Sequence, residues 1–248
     1  IEYEFLNRTG YLRVYSFESN NSRAFKKTID QFFYWVKQDS CDSVVIDVRD
    51  NRGGYVLLLE YLLSYINEPG KTYDLNYEYK RSDLDRFETL SPAKKIDFIK
   101  KAKRVYPRGM ISKEYDFFKS SKGTVSNILY KKTLVNPSLN VFKGACTLFV
   151  NGLSMSASVL LASWFKETKR GEVIGTPCFG SVDGTNGNAA IVFLNHSRLP
   201  VSISTLKFTP NNITSKEKGD IEIDYKISIT LKDIQSGTDP FRDYLFRD

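Results

Sequence analysis

Residues 43–66, "SVVIDVRDNRGGYVLLLEYLLSYI", restrict the fold more than any other stretch of the chain. A short β-branched apolar run ends in a polar turn with paired glycines, and a segment apolar enough to be a well-buried helix follows. Strand, turn and helix in this order form the unit from which a mainly parallel sheet is built. The alternation returns at "ACTLFVNG", which reads as a buried strand, and in "NGLSMSASVLLASWFKE", a serine-rich turn leading into a helix that ends near residue 168. Upstream, "GYLRVYSF" alternates like a strand, with Tyr11, Val14 and Phe17 among its bulky members. "NNSRAFKKTIDQFFYWVKQ" places Phe25, Ile29, Phe32 and Val36 at helical spacing, with Ser22 as the expected N-cap. "GEVIGTPCFGS" predicts another strand and loop, and "AAIVFLNHSRLPVSISTLKF" a hairpin around Asn195, His196, Ser197 and Arg198. The tail predicts an extended segment and a closing helix. The fold class is α/β.

Bulk properties remove several function classes. The chain has 248 residues, 41% hydrophobic and 26% charged, as in an ordinary water-exposed globular domain. No run approaches the roughly 18 to 20 apolar residues of a membrane span. The start, "IEYEFLNRTGYLRVYSF", is strand-like and lacks the layout of a signal peptide, which fits either a cytoplasmic protein or a trimmed or mature chain, and the leading Ile favours trimming. Cys41, Cys146 and Cys178 are too scattered for a disulfide framework or zinc cluster, and read as small core residues. One histidine, His196, excludes a multi-histidine metal site. No metal and no cofactor are expected.

The net charge of +7 is local. Residues 71–140 hold 16 Lys/Arg against 8 Asp/Glu, while the rest of the chain has 20 against 21. Residues 70–140 also break the βα rhythm and contain one helical candidate, "SPAKKIDFIKKAKRVY", with Pro92 in its first turn. They read as a basic insertion, a small subdomain or lid within a single domain spanning 1–248. Its positive charge suits a solvated helix face or an acidic partner. No nucleic-acid partner is expected.

Two stretches could carry chemistry. In "SMSAS", Ser154, Ser156 and Ser158 are either helix caps or include a nucleophile at a helix start, where backbone N–H groups favour negative charge. In "DNRGG", Gly53 and Gly54 are either a plain turn or a loop whose bare N–H groups receive an oxyanion. Acyl transfer needs both a nucleophile and such donors.

In order, the segments read strand, "D-x-R-x-N-x-G-G", apolar helix, insertion, "L-x-V-N-G-x-S-x-S-A-S", helix, "G-x-V-I-G-x-P-x-F-G". This series resembles the C-terminal processing (tail-specific) protease family, and most of all its branch related to tricorn protease and the retinoid-binding protein repeats. The resemblance runs from about Tyr11 to the tail and is densest at 44–60 and 146–180. It implies a crotonase/ClpP-like spiral of βα units and serine endopeptidase activity on protein or peptide substrates. Ser156 matches the family's nucleophile. Ala157 then offers its N–H to the oxyanion, together with that of Gly54 or Gly53, and Ser154 and Ser158 become structural. The resemblance also implies a place outside the cytoplasm, periplasmic or secreted.

The chain departs from the family where the general base belongs. Tail-specific proteases carry "F-G-K-G" with a glutamine four residues on. Here "FGSVDGT" puts Ser181 at the lysine position and Thr185 at the glutamine position. A serine hydroxyl is no general base in place of an amine. The tricorn-like branch takes a histidine from a more N-terminal segment. His196 falls where that family has a turn, and reads as a base or as a solvated turn residue. Glu217, shortly before the family-like tail, is the candidate acid to orient a base. Glu167 sits where the tail-specific branch has an aspartate and equally reads as an exposed helix end. Either a base outside this chain completes a serine peptidase, or the apparatus has decayed and the cleft binds peptide without cutting it.

Overall fold

Two residues reverse the chain at its start. Strands β1 (Glu2–Leu6) and β2 (Thr9–Arg13) pair antiparallel around Asn7 and Arg8, which both take positive φ, +46° and +63°. That twist suits the tightest hairpin turn. The computed structural model describes residues 1–18, 21–68, 72–84, 91, 93–94, 120–133, 141–210 and 219–245. The chain divides into two units: Ile1–Tyr73, Thr133–Asp183 and Asn212–Asp248 form one, Asp74–Lys132 and Gly184–Asn211 the other.

The first unit is built on a six-stranded sheet. After β2 come helix α1 (Ser22–Gln38), strand β3 (Ser43–Asp47), helix α2 (Val56–Leu63), strand β6 (Ala145–Val150), helix α3 (Ala157–Thr168) and strand β7 (Glu172–Gly175). Strand β10 (Tyr225–Lys226) and helices α4 (Leu231–Ser236) and α5 (Pro240–Leu245) close it. The order is β1-β2-β3-β6-β7-β10, parallel from β2 onward. The expected α/β class is present. The cap of α1 differs from expectation by one residue: Asn21, not Ser22, accepts the Ala24 N–H at 3.0 Å. A carboxamide or hydroxyl serves equally at an N-cap, so sequence alone leaves two adjacent candidates.

Alternation across the strands decides what covers each face. Leu12, Val44, Ile46, Leu148 and Val173 are fully or almost fully buried on the side where a Cβ at Gly10 would touch Phe32 and Val36 of α1. Tyr11, Val45, Phe149 and Ile174 face the other way and pack with Ile227 and Phe241 of the C-terminal segment. Helices therefore cover one face and the chain's end covers the other.

The second unit holds strands β4 (Thr72–Lys80), β5 (Val125–Thr133), β8 (Thr185–Phe193) and β9 (Pro200–Pro210), ordered β5-β4-β9-β8. The hairpin expected around residues 195–198 joins β8 to β9. Strands β4 and β5 were not expected. For β4 a signal exists: Tyr73, Leu75, Tyr77 and Tyr79 alternate and are buried, but the interleaved Asp, Glu and Asn obscure it. The helix expected from Ser91 onward lies almost entirely outside the described residues.

Candidate active site

The site forms where two neighbouring parallel strands leave the sheet. β3 ends at Asp47, which is fully buried. It accepts from the Tyr11 hydroxyl and from Arg49 Nε at 3.0 Å and Nη2 at 2.7 Å. Burial foremost, and then the adjacent Asp47 charge, drives the Tyr11 pKa up, so this hydroxyl stays protonated. Arg49 also gives Asp239 two bonds, at 2.9 and 2.8 Å, and its guanidinium lies 4.1 Å from the centroid of Phe241. The loop leaving β3 is thereby fixed before it reaches the glycines.

Asp50 follows at φ +63°. Its N–H donates to Asn151 Oδ1 at 3.0 Å and its carboxylate accepts from Asn151 Nδ2 at 2.9 Å, joining the ends of β3 and β6. Asn51 is completely buried. Gly53 and Gly54 take φ +96° and +137°, open to glycine at little cost. Gly54 lies against Phe17 as an isolated parallel bridge, with Phe17 N–H donating to Gly53 O at 2.8 Å and Tyr55 N–H to Phe17 O at 3.0 Å.

From β6 the chain runs through "NGLSMS" into α3. Ser154 is buried, donates to Val48 O at 2.8 Å and accepts from Asn151 N–H at 3.0 Å. Ser158, also buried, donates to Asn51 O at 3.0 Å. Both outer serines are committed to backbone. Ser156 is not. It is the N-cap residue of α3 with no side-chain capping bond, at φ +52° and ψ −113°. Holding a β-substituted residue there costs on the order of 1–3 kcal/mol, and such strain clusters at functional sites. Ser156 is half-buried, and among the described residues its Oγ has no hydrogen-bond partner.

The two loops touch at Gly53. A Cβ there would lie 2.5 Å from Ser156 Cβ and 2.9 Å from Ala157 N. Ser156, Ala157, Gly53 and Gly54 thus come together at the start of α3. Gly53 N–H is already given to Asn51 Oδ1 at 2.8 Å. Among the described residues the N–H groups of Gly54 and Ala157 have no acceptor. An unengaged hydroxyl placed there can add to a carbonyl, and two unengaged amides beside a helix N-terminus can hold a developing oxyanion.

Phe179 flanks the Ser156 loop: its N–H donates to Ser154 O at 3.0 Å, and it bridges Met155. Gly180 packs on Val159, which a Cβ would approach to 2.7 Å. Ser181 follows, hydrogen-bonded to the Asp183 carboxylate. Glu167 sits near the far end of α3, eleven residues and so about 16 Å along the axis from Ser156. His196 is exposed at the β8–β9 turn of the other unit, and Thr185 opens β8 there. Glu217 lies outside the described residues. Burial pushes the Cys178 and Cys146 thiols up to about 12, so neither is a thiolate at neutral pH. Sequence reasoning gave no role to Asp47, Arg49, Asn51 or Asn151. The first three stood in the quoted "D-x-R-x-N" spacing, the signal that could have found them.

The chain belongs to peptidase family S41, whose family model matches residues 8–227. No curated protein sequence matches it significantly. Among solved structures it is similar to the photosystem II D1 C-terminal processing protease (17% identity, 89% of this chain and 42% of that one, TM-score 0.51). It is also similar to a putative peptidase from Parabacteroides merdae ATCC 43184 (18% identity, 98% and 62%, TM-score 0.61). A third is mature CPAF complexed with lactacystin (15% identity, 96% and 50%, TM-score 0.61). At these identities the likeness concerns the fold, and the chain spans 42–62% of these three proteins. No helix among the described residues is long and apolar enough to cross a membrane.

Proposed function

We propose that this chain is a serine endopeptidase domain in which Ser156 is the nucleophile and the N–H groups of Gly54 and Ala157 form the oxyanion hole. The observation that carries the reading is Ser156 itself: a strained residue at a helix start, its hydroxyl unengaged among the described residues, pressed against Gly53. Ser156 Oγ adds to the scissile carbonyl as its proton passes to a general base. The carbonyl oxygen becomes an oxyanion held by the two amides. Collapse expels the amine, which takes the proton, and water then hydrolyses the acyl-enzyme by the same route. Gly53 drops out as an oxyanion donor, because Asn51 holds its N–H.

The base comes from outside this chain, since Ser181 offers only a hydroxyl at the family's lysine position. The architecture we assign is the crotonase/ClpP-like spiral over 1–248, with 70–140 as a basic insertion or lid subdomain, acting on protein or peptide substrates outside the cytoplasm. The test is capture of a serine-reactive phosphonate by the full-length protein and by Ser156→Ala. Strong labelling of the first and none of the second is expected, while equal labelling ends the proposal. Ser181 also supports a second reading, a peptide-binding pseudo-protease. It predicts peptide affinity unchanged in Ser156→Ala and no phosphonate capture by either protein.

A further inference from the structure

Asn51 spends every polar atom it has on joining the parts of the site. Nδ2 donates to Val14 O at 2.7 Å, just beyond β2. Oδ1 accepts the Gly53 N–H at 2.8 Å. Its backbone N–H donates to Val48 O at 3.2 Å, and its carbonyl accepts from Met155 N–H at 2.9 Å and Ser158 Oγ at 3.0 Å. Met155 and Ser158 bracket Ser156. One fully buried residue therefore connects the exits of β2, β3 and β6.

The two glycine amides behave differently because of it. The peptide group before Gly53 is pinned by Oδ1. In the next peptide group the Gly53 carbonyl accepts from Phe17 N–H at 2.8 Å and from Ser16 Oγ at 3.3 Å. A trans peptide points its N–H opposite to its carbonyl, so the Gly54 N–H is directed away from Phe17. With Asn51 absent, the first peptide group is free to turn in a glycine pair that tolerates many conformations, and the second is left to its bonds from Phe17 and Ser16 alone.

We propose that Asn51 is a positioning residue for the oxyanion hole: together with Phe17 and Ser16 it holds the direction of the Gly54 N–H, and through Met155 and Ser158 it holds the distance of that N–H from Ser156. This rests on the assignment of Ser156 and Gly54 above. Asn is suited because the position needs a donor and an acceptor on one short side chain. Asp keeps the acceptor for Gly53 and loses the donor to Val14. Leu keeps the volume and loses both.

The experiment follows phosphonate capture by the full-length protein against probe concentration, separating the maximal capture rate from the half-saturating concentration, with thermal unfolding measured in parallel. Asn51→Leu is expected to slow maximal capture by about 100-fold, in the range seen for removal of one oxyanion donor, with the half-saturating concentration unchanged. Asn51→Asp is expected to recover part of it, staying about 10-fold below wild type. Capture at the wild-type rate in Asn51→Leu, or equal losses in the two variants, overturns the positioning role and leaves Ser156 standing. If Asn51→Leu does not fold, Asn51→Asp decides alone: a wild-type maximal rate overturns the proposal. Equal capture by wild type and Ser156→Ala, or none by wild type, brings down the active-site reading and this role with it.

Discussion

At Gly53 the fit between the two loops leaves no room for a methyl group. A Cβ would sit 2.5 Å from Ser156 Cβ and 2.9 Å from both Ala157 N and Met155 O, and φ is +96°. Two of the three opposing atoms are backbone, so nothing flexible can yield. Gly53→Ala is therefore expected to cost about 2 kcal/mol or more from the backbone conformation and the contact together. For a chain of this size that lowers the melting temperature by about 4 °C or more. Phosphonate capture should fall with it, because relief of the contact pushes Ser156 and Ala157 away from Gly54. Gly152, one turn earlier on the other loop, is the control: the nearest atom to its added Cβ is 3.9 Å away. Gly152→Ala should melt and react like wild type. Equal behaviour of the two alanine variants in calorimetry and capture would show that the loops are not packed as described.

Between elements, a two-bond ion pair joins the exit of β3 to the start of α5. Arg49 and Asp239 are 190 residues apart and share two bonds of 2.9 and 2.8 Å. Burial alone would raise the Asp239 pKa, but the hydrogen bonds and charge of Arg49 outweigh it, and the carboxyl is held below its ordinary value. A carboxylate depressed in the folded state adds stability above its unfolded pKa, near 3.9 for Asp, and loses it as pH falls through the folded value. Asp239→Asn should therefore cost about 1.5–3 kcal/mol at neutral pH, the range for hydrogen bonds to a charged group. The gap from wild type should close as pH drops below about 4. Chemical unfolding of both proteins from pH 7 to pH 3 measures this, and a constant gap would contradict it. Such a link has no local signature, which explains what could be read in advance. β3, β6 and the helices after them were legible because each is a contiguous apolar run with its own period. Ser156 and the glycines stood out as candidates because their spacing resembles a family pattern, and the structure brings them together. Asn51 and Arg49 were in view but without roles, since their partners Val14, Met155 and Asp239 lie far away in sequence. The single closing helix expected in the tail proved to be two short ones, α4 and α5, divided at Gly237 with φ +67°.

For the first unit as a whole, the sheet's two faces are unequally protected. α1, α2 and α3 cover one of them, whereas the other depends on a few residues at the end of the chain. Phe241 is 2% exposed and packs against Phe149 with ring centroids 5.0 Å apart. With Ile227 it covers Tyr11, Val45 and Ile174, and Arg242 pairs with Glu4 of the edge strand β1 at 2.8 Å. Deleting residues 239–245 removes this cover and one of the two carboxylate partners of Arg49 in one step. Loss of a buried Phe alone costs about 3–5 kcal/mol, and loss of the two Arg49–Asp239 bonds adds to it. Against a total stability of roughly 5–15 kcal/mol the sum is decisive. The deletion is expected to lower the melting temperature by about 10 °C or more, or to prevent folding, and to expose an apolar surface that binds a hydrophobic dye. Phe241→Ala should show the same change at smaller amplitude, with the Arg49–Asp239 link intact. An unchanged melting curve for the deletion would mean that the sheet is closed from another direction. The loop after β3 would then owe its position to Asn51 and Asn151, without residues 239–245.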